Sequence, residues 1–283
     1  MEYKLLALDL DGTLYTSDNR ITKNTRKIIK QAREKGLLVT LATGRNYPSA
    51  RLVAKHLKLE LPIITNDGAY IINHLENKPL FEKRIENEII IEIVEVLLQY
   101  NLNFMILHES SSFGNFNYLG WKMFVRFFNI HSFKTLLAEK SRYRRISNNK
   151  IIEHIKNNKT KPFKIFVDGN HEQINEGRLE LEEKFKDKIR ITNSGYGIEI
   201  LPLDISKASG LEILTGQLGF DKKEVIAIGD SFNDLEMIDY VGLGIAMGNA
   251  PLEIQNKAKF VTKTNDDDGV AHAIDEFFLK IKA

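Results

Sequence analysis

The chain reads as an α/β protein, a doubly wound parallel sheet with an α+β domain inserted into it. Three observations predict this. Strand-length apolar runs alternate with helical patterns through the first 70 residues, the same rhythm returns after residue 203, and the stretch between, 82–202, has a different texture.

KLLALD (4–9) is the first strand. ITKNTRKIIKQAREKG (21–36) has helical spacing, with Thr22 as an N-cap and Gly36 as a stop. LLVTLAT (37–43) is a second strand, PSARLVAKHL (48–57) a helix opening on Pro48, and PIIT (62–65) a third strand. After the insert come SKASGLEILTGQLG (206–219) as helix, EVIAIGD (224–230) as strand, FNDLEMIDYV (232–241) as helix and GLGIAM (242–247) as strand. PLEIQNKA (251–258), KFVT (259–262) and a last helix from about 267 complete the order. The insert is richer in aromatics, Asn and Lys. Its strands, KIFVDG (164–169), IRIT (189–192) and YGIEIL (196–201), alternate as half-buried strands do. The expected division is therefore a core of 1–81 and 203–283 and an inserted domain of 82–202.

With 283 residues, 43% of them hydrophobic, the chain can bury a full core. A formal net charge of +2 argues against nucleic acid or a membrane surface as the main partner. There is no cysteine, hence no disulfide, thiol nucleophile or thiolate metal site. Asp9 and Asp11 interrupt the first apolar run where a signal peptide would continue it. No apolar stretch approaches the roughly 18 residues that span a bilayer; EIIIEIVEVLL (88–98) comes nearest, and its glutamates make it one face of an amphipathic helix. The expectation is a cytoplasmic protein, a monomer or weak homodimer.

In an open α/β sheet, ligands bind beyond the carboxyl ends of the strands. Four groups fall at such ends: Asp9 and Asp11 after strand one, Thr43, Gly44 and Arg45 after strand two, Asp230 with Asn233 and Asp234 after EVIAIGD, and Lys207 opening the helix after the insert. Singly, each has a plain reading as turn residue, cap or surface charge. Together they put several carboxylates in one crevice, where charge needs a counter-charge. Oxygen donors without Cys or a His cluster select a hard cation, Mg²⁺ first. Lys207 and the hydroxyl and N–H groups around Thr43 add positive character where phosphoryl oxygens would lie. An aspartate there can serve as nucleophile and form an acyl phosphate.

DLDGT (9–13), TGR (43–45), Lys207 and GDSFND (229–234) resemble, in order and spacing, the four motifs of the haloacid dehalogenase-like phosphatases. NDGA (66–69), LDISKASGL (203–211), AMGNAPLEI (246–254) and DDDGVAHAI (266–274) look like the Cof-type subfamily (subfamily IIB), whose large α+β cap is inserted between the second and third motifs. The resemblance covers the core; the insert matches in position and size. It implies Asp9 as nucleophile and Mg²⁺ ligand, and Asp11 as acid and then base, with its backbone carbonyl on Mg²⁺. It implies Thr43, Gly44 and Arg45 around the phosphoryl group, Lys207 bridging Asp9 and phosphate, and Asn233 touching the phosphate. Asp230 would ligate Mg²⁺ and Asp234 would orient the metal waters or Lys207. The implied substrate is a small phosphorylated metabolite such as a sugar phosphate, flavin mononucleotide or pyridoxal phosphate, with no nucleic acid and no membrane involved. A phosphomutase using the same phospho-aspartate and a non-catalytic phosphometabolite-binding protein are the rival readings. Asp204 stands where many relatives carry a small residue, and reads as a helix cap.

Other features favour plain readings. GLGIAMG (242–248) flanks a strand with glycines and reads as turns. KSRYRR (140–145) reads as a solvated face of the insert, with a second substrate phosphate as the alternative. Asp266, Asp267 and Asp268 read as acids before the last helix, favouring its N-terminus. His108, His131, His154 and His171 have no metal-ligand spacing, and Phe113, Phe116, Tyr118 and Trp121 read as core of the insert. Hinges are expected near 81–84 and 201–204.

Overall fold

In the computed structural model, which describes residues 3–116, 143–158, 161–193 and 197–280, β1 (Leu5–Leu8) is buried on both faces. That is the burial expected of a central strand in a parallel sheet covered by helices. β1 pairs in parallel with β2 (Leu38–Leu41) on one side and β12 (Val225–Gly229) on the other. β12 in turn pairs with β13 (Leu243–Ala246) and β13 with β14 (Phe260–Val261), giving the order β14-β13-β12-β1-β2. β3 (Ile63–Thr65), joined to the end of β2 by a single parallel bridge, opens an antiparallel sheet with β4 (Tyr70–Asn73) and β5 (Lys78–Glu82).

The core helices start and stop where their sequences say. Lys23–Glu34 is capped by Thr22, whose hydroxyl accepts from the Thr25 N–H. Tyr47–His56 is capped by Asn46 with Pro48 in its first turn. Lys207–Leu218 opens on a reciprocal Ser206–Ser209 capping box and ends at Gly219, whose φ of 72° suits a residue without Cβ. One cap expectation is corrected. Ser206, not Asp204, caps that helix; Asp204 takes φ 62° and lies 3.9 Å from Lys83. Asp266, Asp267 and Asp268 do precede the last helix (Gly269–Ile274), with Asp268 at its N-cap position. The Asp268 carboxylate makes no cap hydrogen bond there but accepts from Thr22, Asn24 and Thr25 at the start of Lys23–Glu34, while Asp266 accepts from Ser17. The acids thus tie the C-terminal segment to the N-terminal one.

The insert has its own sheet and its own apolar cluster. β6 (Asn103–Leu107), β7 (Ser112–Gly114), β8 (Tyr143–Arg145), β9 (Lys164–Asp168), β10 (Ile189–Asn193) and β11 (Ile198–Pro202) run in the order β10-β11-β9-β6-β7-β8. Helix Asn87–Gln99 packs beside Asn148–Asn158 and His171–Lys184, and buries Ile90, Ile93, Val94 and Leu97 with Phe104, Ile165 and Ile200. The chain enters after β5 and leaves after β11, and the Lys83 ammonium donates to the Leu203 carbonyl at 2.6 Å, tying the two crossings together. Among the described residues no helix is long and apolar enough to cross a membrane.

Candidate active site

The core sheet winds one way from β1 to β2 and the other way from β12 to β14, so the β1–β12 boundary is its topological switch point. Asp9 and Asp230 leave the sheet side by side there, since Leu8 is in register with Ile228 and the Asp9 N–H bonds the Ile228 carbonyl at 3.1 Å. Lys207, the first residue of its helix and 1% exposed, sends its ammonium between Asp9 and Asp234. Its Nζ lies 2.7 Å from Asp9 Oδ1 and 2.7 Å from Asp234 Oδ1. The other oxygen of Asp234 accepts the backbone N–H groups of Asp230 and Ser231, each at 3.0 Å, which folds GDSFND into its turn. Thr13 donates to Asp230 Oδ1 at 2.7 Å. Gly12 is required here: a Cβ would sit 2.2 Å from Asp230 Oδ2, at a backbone φ of 79°.

Three carboxylates against one ammonium leave excess negative charge in a dry place. Burial first, then Asp234 and Asp230, push the Asp9 carboxyl well above its ordinary range against the pull of Lys207. Burial and Asp234 push Asp230 up to about 7 despite the Thr13 hydrogen bond. For Lys207 the effect of burial is outweighed by Asp234, Asp9 and Asp67, which raise its ammonium well above the usual value. Asp9, Asp230 and Asp234 each offer an oxygen within 4.8 Å of the others'. Both Asp234 oxygens are already engaged, so Asp9 and Asp230 are the carboxylates suited to a cation, and hard oxygen donors with surplus charge fit Mg²⁺.

A second layer lies beside this cluster. Asp11 faces Arg45, which grips it with Nε at 2.7 Å and Nη2 at 2.5 Å while lying 4.9 Å from the centroid of the Tyr15 ring. Thr43 is buried, and its hydroxyl accepts the Arg45 N–H at 3.1 Å. The NDG turn packs on this loop, with the Asp67 N–H on the Thr43 carbonyl and the Asn66 N–H on that of Arg45. The Asp67 carboxylate accepts the Asn233 amide at 2.9 Å and the Lys164 ammonium at 2.7 Å, and Lys164 also holds Glu199 at 2.8 Å.

The structure therefore brings Asp9, Lys207, Asp230 and Asp234 into one cluster. It puts Asp11 and Arg45 on each other, and Asn233 on Asp67. Sequence reasoning missed Thr13, Asp67, Lys164 and Glu199. Thr13 and Asp67 lay inside quoted motifs without a role. The one signal for Lys164 and Glu199 was a charge inside the buried strand runs KIFVD and IEILP. Among the plain readings, β13 is a strand flanked by glycines, Arg144 and Arg145 are exposed on β8, and Phe113 is buried in the cluster of the insert. Lys140–Arg142, Tyr118, Trp121 and His131 lie outside the described residues. Among the described residues no histidine belongs to a metal-ligating group.

Residues 6–274 match the family described as haloacid dehalogenase-like hydrolase. The chain is 35% identical over 280 residues to the stress response protein YhaX of Bacillus subtilis, covering 98% of this chain and 94% of that one. It is 32% identical to the 5-amino-6-(5-phospho-D-ribitylamino)uracil phosphatase YcsE of the same organism, covering 99% and 97%. Among solved structures, a haloacid dehalogenase-like hydrolase from Bacteroides thetaiotaomicron superposes with a TM-score of 0.80 at 29% identity, over 98% of this chain and all of that one. The chain belongs to the haloacid dehalogenase-like hydrolases, in their Cof-type phosphatase branch.

Proposed function

We propose that this phosphatase hydrolyses small phosphate monoesters, dependent on Mg²⁺, through a phospho-aspartate on Asp9. The observation that carries the reading is Asp9 itself, a buried carboxylate at the switch point with Oδ1 fixed by Lys207. Oδ2 is left to attack phosphorus. Asp11 gives the leaving oxygen its proton, then takes one from the water that attacks the phosphorus of the acyl phosphate, releasing phosphate and restoring Asp9. As held here, Asp11 accepts both guanidinium N–H groups of Arg45. An incoming phosphate offers Arg45 a more highly charged partner, which frees Asp11 for proton transfer. Thr43 and Gly44 supply hydroxyl and backbone N–H to the phosphoryl oxygens, with Asn233 beside them. Asp9, Asp230 and the Asp11 backbone carbonyl would hold Mg²⁺, with Asp234 setting Lys207 and the loop. Bound there, the metal supplies Lewis-acid charge against the phosphoryl oxygens.

Residues 1–81 and 203–283 act as the catalytic core, and 82–202 as a cap that selects the leaving group, hinged near 81–84 and 201–204. One relative is named for a phosphorylated ribitylaminouracil, and another, from Serratia proteamaculans, as an HMP-PP phosphatase. These names support a small phosphorylated metabolite as substrate; in this proposal a monomer or weak homodimer acts on it.

The test is phosphate release from p-nitrophenyl phosphate with Mg²⁺ and with excess chelator, followed by a panel of sugar phosphates, flavin mononucleotide, pyridoxal phosphate and the ribitylaminouracil phosphate. Release that stops in chelator and returns with Mg²⁺ is expected. Full activity in chelator removes the metal from the reading. No release from any compound favours a binding protein, and transfer to a sugar hydroxyl without release favours a mutase.

A further inference from the structure

Lys164 belongs to the insert, yet its ammonium is buried against a core carboxylate. It begins β9 directly after Phe163, whose ring stacks on core Tyr70 with centroids 4.7 Å apart. The stack carries Lys164 down to the core, where Nζ meets Asp67 Oδ2 at 2.7 Å, with Glu199 of β11 as its other partner at 2.8 Å. Lys164 is 3% exposed and Asp67 1%.

Asp67 is more than an anchor. Its other oxygen holds the Asn233 amide at 2.9 Å, in the loop that also carries Asp230 and Asp234. Its own N–H bonds the Thr43 carbonyl, and a Cβ on Gly44 would stand 3.0 Å from both of its carboxylate oxygens. Asp67 thus links the second-strand loop, the GDSFND loop and the insert. Asn66 and Asp67 take positive φ, 48° and 55°, a strained backbone that is retained where surrounding contacts over-determine it.

We propose that Lys164 is a positioning residue for the phosphatase reaction: seating it on Asp67 when the cap closes sets Asn233 and the Thr43–Gly44 loop for the phosphoryl group. This rests on the function proposed above. Without Lys164, Asp67 loses the ammonium that balances its charge on the side facing the cap, and a closed cap would bury Asp67 and Glu199 together with no cation between them. Burial would raise the Asp67 carboxyl, but Lys164 first and Lys207 next outweigh it and hold it at about 2, so the link is ionic at working pH.

A double-mutant cycle on kcat/KM for p-nitrophenyl phosphate with Mg²⁺ tests this. That substrate makes few demands on the cap, so selectivity contacts do not enter. Lys164→Met and Asp67→Asn each should lower kcat/KM about tenfold, and the double variant by about the same tenfold, because both remove one link. Asp67→Asn keeps an acceptor for Asn233 and leaves Lys164 on Glu199. It therefore carries the test alone if circular dichroism finds Lys164→Met unfolded. Either single variant within twofold of wild type overturns the proposal, as does a double variant lower by about a hundredfold, the additive result of independent structural roles. A wild-type protein that releases no phosphate strikes the proposed function itself; an active wild type with unaffected variants strikes only the role of Lys164.

Discussion

Lys207 and Lys164 are built alike, each a buried ammonium between two carboxylates at hydrogen-bond distance. Their neighbourhoods differ. Around Lys207 both partners are core residues, and a third carboxylate, Asp230, adds charge beyond what the one ammonium balances. Around Lys164 one partner is core and one is cap, and the excess falls on Glu199, whose Oε2 has no hydrogen-bond partner among the described residues. Burial and then Asp67 push Glu199 up to about 7, against the pull of Lys164. A single proton can settle the second cluster. The first has a surplus that a divalent cation suits, and it is the one at the sheet's switch point. In the function proposed above, two similar ion triads thus divide into a site for chemistry and a joint between domains.

The sharpest way to break this comparison is Lys207→Met. It leaves Asp9, Asp234 and Asp230 buried together with no cation, and removing one partner of a buried ion cluster costs about 3–5 kcal/mol. Urea unfolding in chelator should register that loss, and turnover should vanish. Stability within about 1 kcal/mol of wild type would mean that the acids shed their charge without help from Lys207.

Asp9→Asn separates chemistry from packing within the same cluster. The amide can still accept from Lys207 but cannot form an acyl phosphate. Turnover of p-nitrophenyl phosphate should fall by about 1000-fold or more with the circular dichroism spectrum unchanged. Activity above a hundredth of wild type would put the nucleophile elsewhere. Asp11→Asn is milder and different in kind. Asp9 still attacks an activated aryl phosphate, but no base activates the water, so labelled phosphoenzyme should accumulate on rapid quench while turnover drops about 100-fold. Wild-type turnover would move the acid/base role to another residue.

How far the sequence could be read follows the same division. The core sheet was legible because its strands are continuous apolar runs in regular alternation with capped helices; Thr22, Ser206 and Gly219 stand where those helices begin and end. The Lys207 cluster was legible because each member sits at the end of an element whose direction the pattern sets. The Lys164 joint was not. Lys164 is 97 residues from Asp67 and 35 from Glu199 in the chain, and only the folded cap brings them together. A lysine opening KIFVD reads as a strand-edge charge until the Phe163–Tyr70 stack is known. Asp268 shows the same limit: its place before the last helix is legible, while its hydrogen-bond partners in space, Thr22, Asn24 and Thr25, begin the first.

The smallest effect, and the one that most sharpens the contrast, is the pH dependence that Glu199 gives to stability. Its carboxyl titrates near 7 in the fold and near its ordinary 4.5 in the unfolded chain. Between those values the folded protein holds a proton that the unfolded chain has released. Stability therefore falls as pH rises through this window, by on the order of 1–3 kcal/mol in all. The groups facing Glu199 do not cancel the trend. Lys164 stays charged throughout, and Asp67, held at about 2, has already lost its proton below the window. Asp230, pushed to about 7 beside Asp9, adds a fall of the same sign, so the measurement compares wild type with Glu199→Gln, both in chelator. Glu199→Gln should flatten part of the slope between pH 4.5 and 7 in urea unfolding and leave the part due to the Lys207 cluster. Parallel curves for the two proteins would mean that Glu199 is ionised beside Asp67, and that Lys164 alone balances both acids of the joint.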